Sequence, residues 1–325
     1  QYNSLVIDKS AIPHISYYDA VNDHIMYATL INGAWTKESV ADIRETFTTS
    51  LALDPAGNPA ISYGNGLGTG YMMFAHRNEY GWNVELVDIS GNAGQFSSLV
   101  IDSAGTPHIT YNDGRNYANL NYATKRGSAW KISTIDNGGA LGNTGYGSSL
   151  VVDSSGQMFV AYTKGDKYGT LMFAQADVSG NWKTSKVDNG GGKYKKTGYD
   201  PSIALDSAGN PHISYYDESH KNLMYTSWNG TAWNRETVHA TGNVAKQSSL
   251  AINHLDQPFI SYYDTSNKEL RFANRNPGEQ QWAINTVDNN GVGEYSSLAL
   301  DPSGHPNIAY YDAKNHALKY AEWKE

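Results

Sequence analysis

Seven times along its 325 residues the chain returns to the same five-residue phrase. The copies are Ser4-Leu5-Val6-Ile7-Asp8, Ser50-Leu51-Ala52-Leu53-Asp54, Ser98-Leu99-Val100-Ile101-Asp102, Ser149-Leu150-Val151-Val152-Asp153, Ser202-Ile203-Ala204-Leu205-Asp206, Ser249-Leu250-Ala251-Ile252-Asn253 and Ser297-Leu298-Ala299-Leu300-Asp301. Their second residues are 46, 48, 51, 53, 47 and 48 positions apart. A repeat of this length, rich in Tyr, Val, Ile and Thr, suits one four-stranded propeller blade per copy. Each copy holds four strand-like pieces, clearest in the fifth: the Ser202 phrase, then His212 to Asp217 with strict alternation, then Leu223 to Thr226, then Trp233 to Val238. Turn-forming clusters such as Ser207-Ala208-Gly209-Asn210-Pro211 separate them. No segment sustains a helical period, so the chain reads as all-β.

The ends of the chain set the frame. Pieces one to three occur seven times, but piece four only six. With piece one innermost, the absent strand falls on the outer edge of the last blade. Any other frame leaves unpaired backbone at the axis or inside a sheet. The expectation is therefore one seven-bladed β-propeller, its last blade lacking the outermost strand. Blades run over about 3–48, 49–96, 97–147, 148–200, 201–247, 248–295 and 296–325. Small Ser residues at the start of piece one suit a crowded axis, and loss of an upstream strand by processing is compatible with this frame.

Composition removes several classes. With 24 Lys+Arg against 32 Asp+Glu the formal net charge is −8, so no basic field for nucleic acid is present. No run approaches the roughly 18 apolar residues of a membrane helix. There is no Cys, hence no disulfide framework, thiolate metal site or thiol nucleophile. Metal ligation has no motif: Asp residues and carbonyls near Gly turns offer Ca²⁺ ligands, but neither an Asp-x-Asp-x-Asp-Gly loop nor a His-pair zinc spacing occurs. No cofactor is expected. Low charge, abundant Tyr, Asn, Gly and Ser, and an N-terminal Gln1 suited to a processed end point to a secreted, cell-surface or periplasmic protein.

The unit Ser-x-x-x-Asp-x-x-Gly-x-Pro-x-Ile-x-Tyr, as in Ser202 to Tyr215, resembles the sialidase-type (BNR-like) repeats of secreted bacterial propellers, over essentially the whole chain. That resemblance implies the propeller and leaves function open, since the fold hosts hydrolases, lyases, lectins and scaffolds. Two departures speak against sialidase activity. Sialidases grip the substrate carboxylate with three arginines, and none of Arg44, Arg77, Arg115, Arg126, Arg235, Arg271 and Arg275 falls on an innermost strand. Pro also stands where the strict box has Thr-Trp after the Gly. Propeller-fold polysaccharide lyases, such as the ulvan lyases, look similar at the Gly-x-Pro-His-Ile strand.

One sector breaks the regularity. Blades one, five, six and seven end piece two in Tyr-Tyr-Asp, whereas blades two to four read Tyr63-Gly64-Asn65, Tyr111-Asn112-Asp113 and Tyr162-Thr163-Lys164. The longest inter-blade connections, from Asp136 to Ser148 and from Asp188 to Pro201, belong to the same sector. Broken consistency within a repeat marks where function is expected. The sector gathers Arg115, Lys164, Lys167, Lys193, Lys195 and Lys196 with Tyr71, Tyr117, Tyr146, Tyr168, Tyr194 and Tyr199. Tyrosines give sugar rings an apolar face with a polar tip, and the cations attract carboxylate or sulfate. Asn112, Asp113, Arg115, Tyr117, Tyr146, Lys164, Tyr168, Lys193, Tyr194, Lys195 and Tyr199 are thus the candidate ligand-binding set. The same residues also read as solvated hairpin tips.

Three functions follow: a glycan-binding, lectin-like propeller, with an anionic polysaccharide as its carbohydrate partner; a lyase on uronate glycans; and a non-catalytic scaffold whose loops meet a protein partner. In the lyase, Tyr168 or Tyr199 is acid/base and Arg115 or Lys164 neutralises the uronate. His108 is a further catalytic candidate, although His14 and His212 at equivalent positions point to a packing role. The Trp that opens piece four reads as inter-blade core, and the Asp after Val (Asp88, Asp136, Asp188, Asp288) as a tie for its own loop.

Overall fold

The computed structural model describes residues 2–43, 48–66, 70–114, 119–139, 144–165, 169–177, 180–192, 195–242, 244–276, 278–279, 281–289 and 291–324. Among the described residues, 27 strands form six four-stranded antiparallel sheets and a last sheet of three. In blade one the strands are Asn3–Ile7, Pro13–Asp19, His24–Ile31 and Ala34–Asp42, in that order from the inside outward. The last blade holds Val292–Leu300, Pro306–Asp312 and Ala317–Glu322 and lacks the fourth strand. Fold class and the incomplete blade agree with the sequence.

The repeated phrase owes its form to contacts with the neighbouring blade. The Leu or Ile N–H of each copy donates to the Ser Oγ of the preceding blade: Leu51 to Ser4, Leu99 to Ser50, Leu150 to Ser98, Ile203 to Ser149, Leu250 to Ser202 and Leu298 to Ser249, at 3.0–3.2 Å. Leu5 donates to Ser297 at 3.0 Å and closes the circle. The phrase-ending Asp or Asn builds the hairpin. Its Oδ1 accepts the N–H groups two and four residues on, as Asp102 does from Ala104 and Thr106 at 3.0 and 2.7 Å, and this geometry recurs in all seven copies.

Further out, the blades lock through aromatic and acidic groups. The Trp opening each fourth strand packs edge-on against a strand-three ring of the preceding blade: Trp82 on Tyr27, Trp130 on Phe74, Trp182 on Tyr122, Trp233 on Phe173, Trp282 on Tyr225 and Trp35 on Tyr320, with centroids 5.1–5.4 Å apart. In blades one to five the Val or Ile five residues later faces the following blade instead, as Val87 does in a cluster with Ile109 and Tyr111. Next to it, Asp88, Asp136, Asp188 and Asp288 accept the hydroxyls of Tyr111, Tyr162, Tyr215 and Tyr310 at 2.7–2.8 Å. The same four carboxylates accept N–H groups of their own loops.

Candidate functional site

The connections from strand four to strand one and from strand two to strand three share one face of the ring. On that face the innermost strands carry a feature the repeat phrase does not announce. The residue two before the motif Ser takes a left-handed backbone in six blades: Tyr2, Phe96, Gly147, Asp200, Gln247 and Tyr295 have φ between 47° and 62°. In blades three to seven this residue interrupts the register between strands one and two, as between Tyr199 and Ser202 or Glu294 and Ser297. Such bulges bend a strand and re-aim side chains. Five of the six are not Gly, and left-handed backbone costs such residues about 1–2 kcal/mol each.

These positions form a half-buried ring around the axis. The ring planes of Tyr2 and Tyr295 meet with centroids 4.3 Å apart. Asp200 Oδ2 accepts the Gln247 N–H at 3.2 Å, and Gln247 Oε1 accepts the Tyr295 N–H at 2.7 Å. Thr48, the seventh member, accepts the Ser97 N–H at 3.1 Å. One arc of the mouth is therefore aromatic, and another carries a carboxyl and an amide. Burial pushes the Asp200 carboxyl above its ordinary range; the Gln247 amide and the Lys246 charge offset only part of this. Sequence reasoning missed this ring. Its signal was present: beside a phrase that repeats almost unchanged, this position reads Tyr, Thr, Phe, Gly, Asp, Gln, Tyr.

The loop from 189 to 198 lies beside the ring and is fastened to both neighbours. Asp188 holds its start through the Gly190 N–H at 3.0 Å, and Arg235 donates to the same oxygen at 2.6 Å. Thr197 N–H donates to Gly169 O at 3.2 Å, and Ser219 N–H to Lys196 O at 3.0 Å. Close approach explains two glycines. A Cβ at Gly198 would lie 2.5 Å from the Leu171 backbone, and one at Gly169 would lie 2.6 Å from the Tyr199 ring. Lys195 is left exposed and Tyr199 half-buried, while Lys196 Nζ reaches Glu218 at 3.4 Å.

The other expected ligand-binding residues are distributed as follows. Asn112 and Asp113 are buried; Asn112 Nδ2 donates to the Thr144 carbonyl and so braces blade three against blade four. Lys164 Nζ is paired with both oxygens of Asp136 at 2.9 and 3.0 Å, where the carboxylate also accepts Tyr162. Burial alone would raise the Asp136 carboxyl, but Lys164, Tyr162 and the Gly138 amide outweigh it and hold the group low. Arg115, Tyr117, Tyr168, Lys193 and Tyr194 lie outside the described residues, as does the side chain of Tyr146. The prolonged inner strands that the long connections form in blades three and four occur in blades six and seven as well, over Val244–Ile252 and Val292–Leu300.

His108 is on the other face. It opens its strand, five residues or roughly 17 Å before Asp113 at extended-strand rise. There it shares a hydrogen bond with the Tyr122 hydroxyl at 2.5 Å and donates from Nε2 to Asp102 at 3.2 Å. His212 with Tyr225 and Asp206 repeats the arrangement, and His14 with Tyr27 and Asp8 nearly so. Three copies of one cluster agree with a packing role. Among the described residues, no group of three His, Asp or Glu side chains is placed to hold a metal ion, and no helix is long and apolar enough to cross a membrane.

No protein-family model and no curated protein matches the chain. Solved structures do. An ulvan lyase of a polysaccharide lyase family superposes with a TM-score of 0.67 at 13% identity, over 97% of this chain and 90% of that one. A Hadza microbial sialidase gives 0.61 at 14% identity, over 92% and 73%. The intramolecular trans-sialidase of Ruminococcus gnavus gives 0.53 at 12% identity, over 100% and 94%. The shared property is the fold. Substrates do not transfer at such identities.

Proposed function

We propose that the protein binds carbohydrate at the mouth of its axis, with the loops of blades two to four as the flanking wall. The observation that carries this reading is the left-handed ring. Left-handed backbone is held at six of the seven equivalent places, and the side chains presented there differ from blade to blade. Phe96, Tyr2 and Tyr295 offer faces for the C–H surface of a sugar ring. Asp200 and Gln247 offer acceptors and donors for its hydroxyls. The exposed Lys195 favours an anionic glycan. Ulvan lyase and sialidase neighbours support a glycan ligand without naming it, and secretion or surface display belongs to this same reading.

Binding is favoured over elimination chemistry by one observation. Burial pushes the hydroxyl of Tyr295, at the mouth, above its ordinary value, which opposes a tyrosinate base there. A glycan array followed by calorimetry tests the proposal. Phe96→Ala and Asp200→Asn are each expected to weaken the best ligand about ten-fold, equivalent to about 1.4 kcal/mol. Lys193, Lys195 and Lys196 changed together to Ser are expected to lower affinity for anionic ligands selectively. Unchanged binding in all three overturns the site. A rise in absorbance at about 235 nm on a uronate polymer, the signature of the unsaturated product, overturns the non-catalytic reading.

A further inference from the structure

On the face that carries His108, one contact repeats at three blade junctions. A strand-four Glu accepts both the indole N–H of the next blade's Trp and a cation from the end of that blade's third strand. Glu38 meets Trp82 and Arg77 at 3.1 Å, Glu85 meets Trp130 at 3.1 Å and Lys125 at 2.6 and 2.7 Å, and Glu236 meets Trp282 at 3.4 Å and also Arg275. At two adjoining junctions both partners change together. Between blades three and four they are Ser133 and Ala176, and the Trp182 indole N–H is buried with no partner. Between blades four and five they are Ser185 and Trp228. There Ser185 leaves the Trp233 indole N–H without the carboxylate to which its equivalents donate. The layer beside it has lost its polar groups too. Where blades one, three and five set a His on a strand-three Tyr, blade four stacks Phe159 on Phe173, centroids 6.0 Å apart. A cavity of about 350 Å³ opens at this junction. The rings of Phe159, Phe173, Trp228 and Trp233 line it, the last two with centroids 5.4 Å apart, and Ser185, Gln175 and Asn210 add a hydroxyl and two side-chain amides. None of its described lining residues is charged. The equivalent crevice between blades two and three, about 400 Å³, is lined by Asp54, His76, Glu85 and Lys125, which already pair with one another.

We propose that the crevice between blades four and five is a second binding site, for a neutral pyranose ring. Aromatic walls with a few neutral polar groups are the usual make-up of a small-ligand pocket, and this one has the size of the smaller examples. The aromatic rings suit the C–H face of a sugar. The Trp233 indole N–H, the Ser185 hydroxyl and the two amides donate to and accept from its hydroxyls. A purely apolar ligand would cover these groups without pairing them, which costs affinity, and a charged one would meet no counter-charge among the lining residues. Exchange of a carboxylate and a cation for Ser185 and Trp228 therefore turns a closed, charged junction into an open, neutral one. The inference stands apart from the glycan reading above, because the site is on the opposite face, uses other residues and selects against charge.

The test titrates the full chain with the methyl pyranosides of glucose, galactose, mannose, xylose and N-acetylglucosamine and follows the tryptophan indole N–H resonances by nuclear magnetic resonance. The proposal expects saturation by at least one of them, with a dissociation constant of about 1 mM and with the Trp228 and Trp233 signals moving most. Ser185→Glu combined with Trp228→Arg rebuilds the carboxylate–cation pair of the other junctions. This double variant is expected to melt no lower than the parent and to bind the sugar at least ten-fold more weakly, while its binding of anionic glycan at the mouth is unchanged. Trp228→Ala, at a half-buried strand end, is expected to weaken the sugar about ten-fold and gives a second reading should the double variant not fold. Phe96→Ala is expected to leave this affinity as it is. Absence of saturable binding by all five sugars up to about 100 mM overturns the proposal. So does affinity that survives both Trp228 variants. Loss of the neutral sugar in Phe96→Ala with retention in Trp228→Ala also overturns it, and assigns that sugar to the axial mouth.

Discussion

At the scale of single residues, the short side chains matter most. The Ser of each phrase offers one oxygen to a part-buried amide of the next blade, so its removal leaves that amide without a partner. Ser98→Ala is expected to cost about 1–2 kcal/mol in urea unfolding with the β-sheet circular dichroism unchanged; the amide of Leu150 is the group left bare. His14 and His212 give a pH signature. Burial holds both below their ordinary value of 6.5, with Asp8 and Asp206 opposing. A depressed histidine stays neutral in the native chain while the unfolded chain takes up the proton. Stability is therefore intact above about pH 6.5 and falls as the pH drops below it. Changing both to Gln is expected to flatten the decline of the urea midpoint between pH 7 and 5.5. Asp200 acts with the opposite sign. Its carboxyl is raised in the folded protein, so its contribution is lost as pH climbs from the usual carboxylate range through the raised value. Asp200→Asn is expected to gain melting temperature relative to the parent as the pH rises from the usual carboxylate range.

At the scale of elements, most of the blade could be read from residues and part of the site could not. Alternation in His212 to Asp217 and the turn cluster after Asp206 fixed strand two and its hairpin, because side-chain period and turn chemistry are local. The inter-blade role of Trp, and the loop-tying role of Asp88 and its equivalents, were legible from recurrence. Lys164 was read as a ligand-seeking cation. Its partner Asp136 lies 28 residues away on another blade, a pairing that no spacing rule reveals. The left-handed ring was hidden for a similar reason: a bulge depends on the register of two strands, not on the composition of one. Loop 189–198 illustrates a further non-local cause, and two glycines separate backbone strain from packing. Gly191→Ala, at φ 80° with open space around it, is expected to cost about 1–2 kcal/mol. Gly198→Ala, at φ 81° and against the Leu171 backbone, is expected to cost more than about 3 kcal/mol and to loosen the loop. Equal melting temperatures for the two variants would show that the loop is not clamped onto blade four.

For the whole molecule, the seam between the last blade and the first governs how the ring fails. Five junctions, from blades one–two to five–six, hold a Trp-on-ring contact and a filled aliphatic position, four of them with a tyrosine lock, while the junction of blades six and seven keeps the Asp288–Tyr310 lock. The seventh keeps Trp35 on Tyr320 and the Leu5–Ser297 bond but little buried hydrocarbon. Hydrogen exchange is expected to be fastest among sheet amides in blades one and seven, by about ten-fold or more over blades three to five, with exchange there tracking sub-global opening. Uniform protection around the circle would remove that asymmetry. The hub itself has a different consequence. Each unit grips its successor through the same pair of atoms, a hydroxyl oxygen and an amide, and is gripped in turn by its predecessor. Any unit can therefore stand beside any other without new hub chemistry. A lineage of such chains is free to gain or lose whole units by gene duplication or deletion, altering circumference and bore while individuality accumulates only at the rim and the mouth.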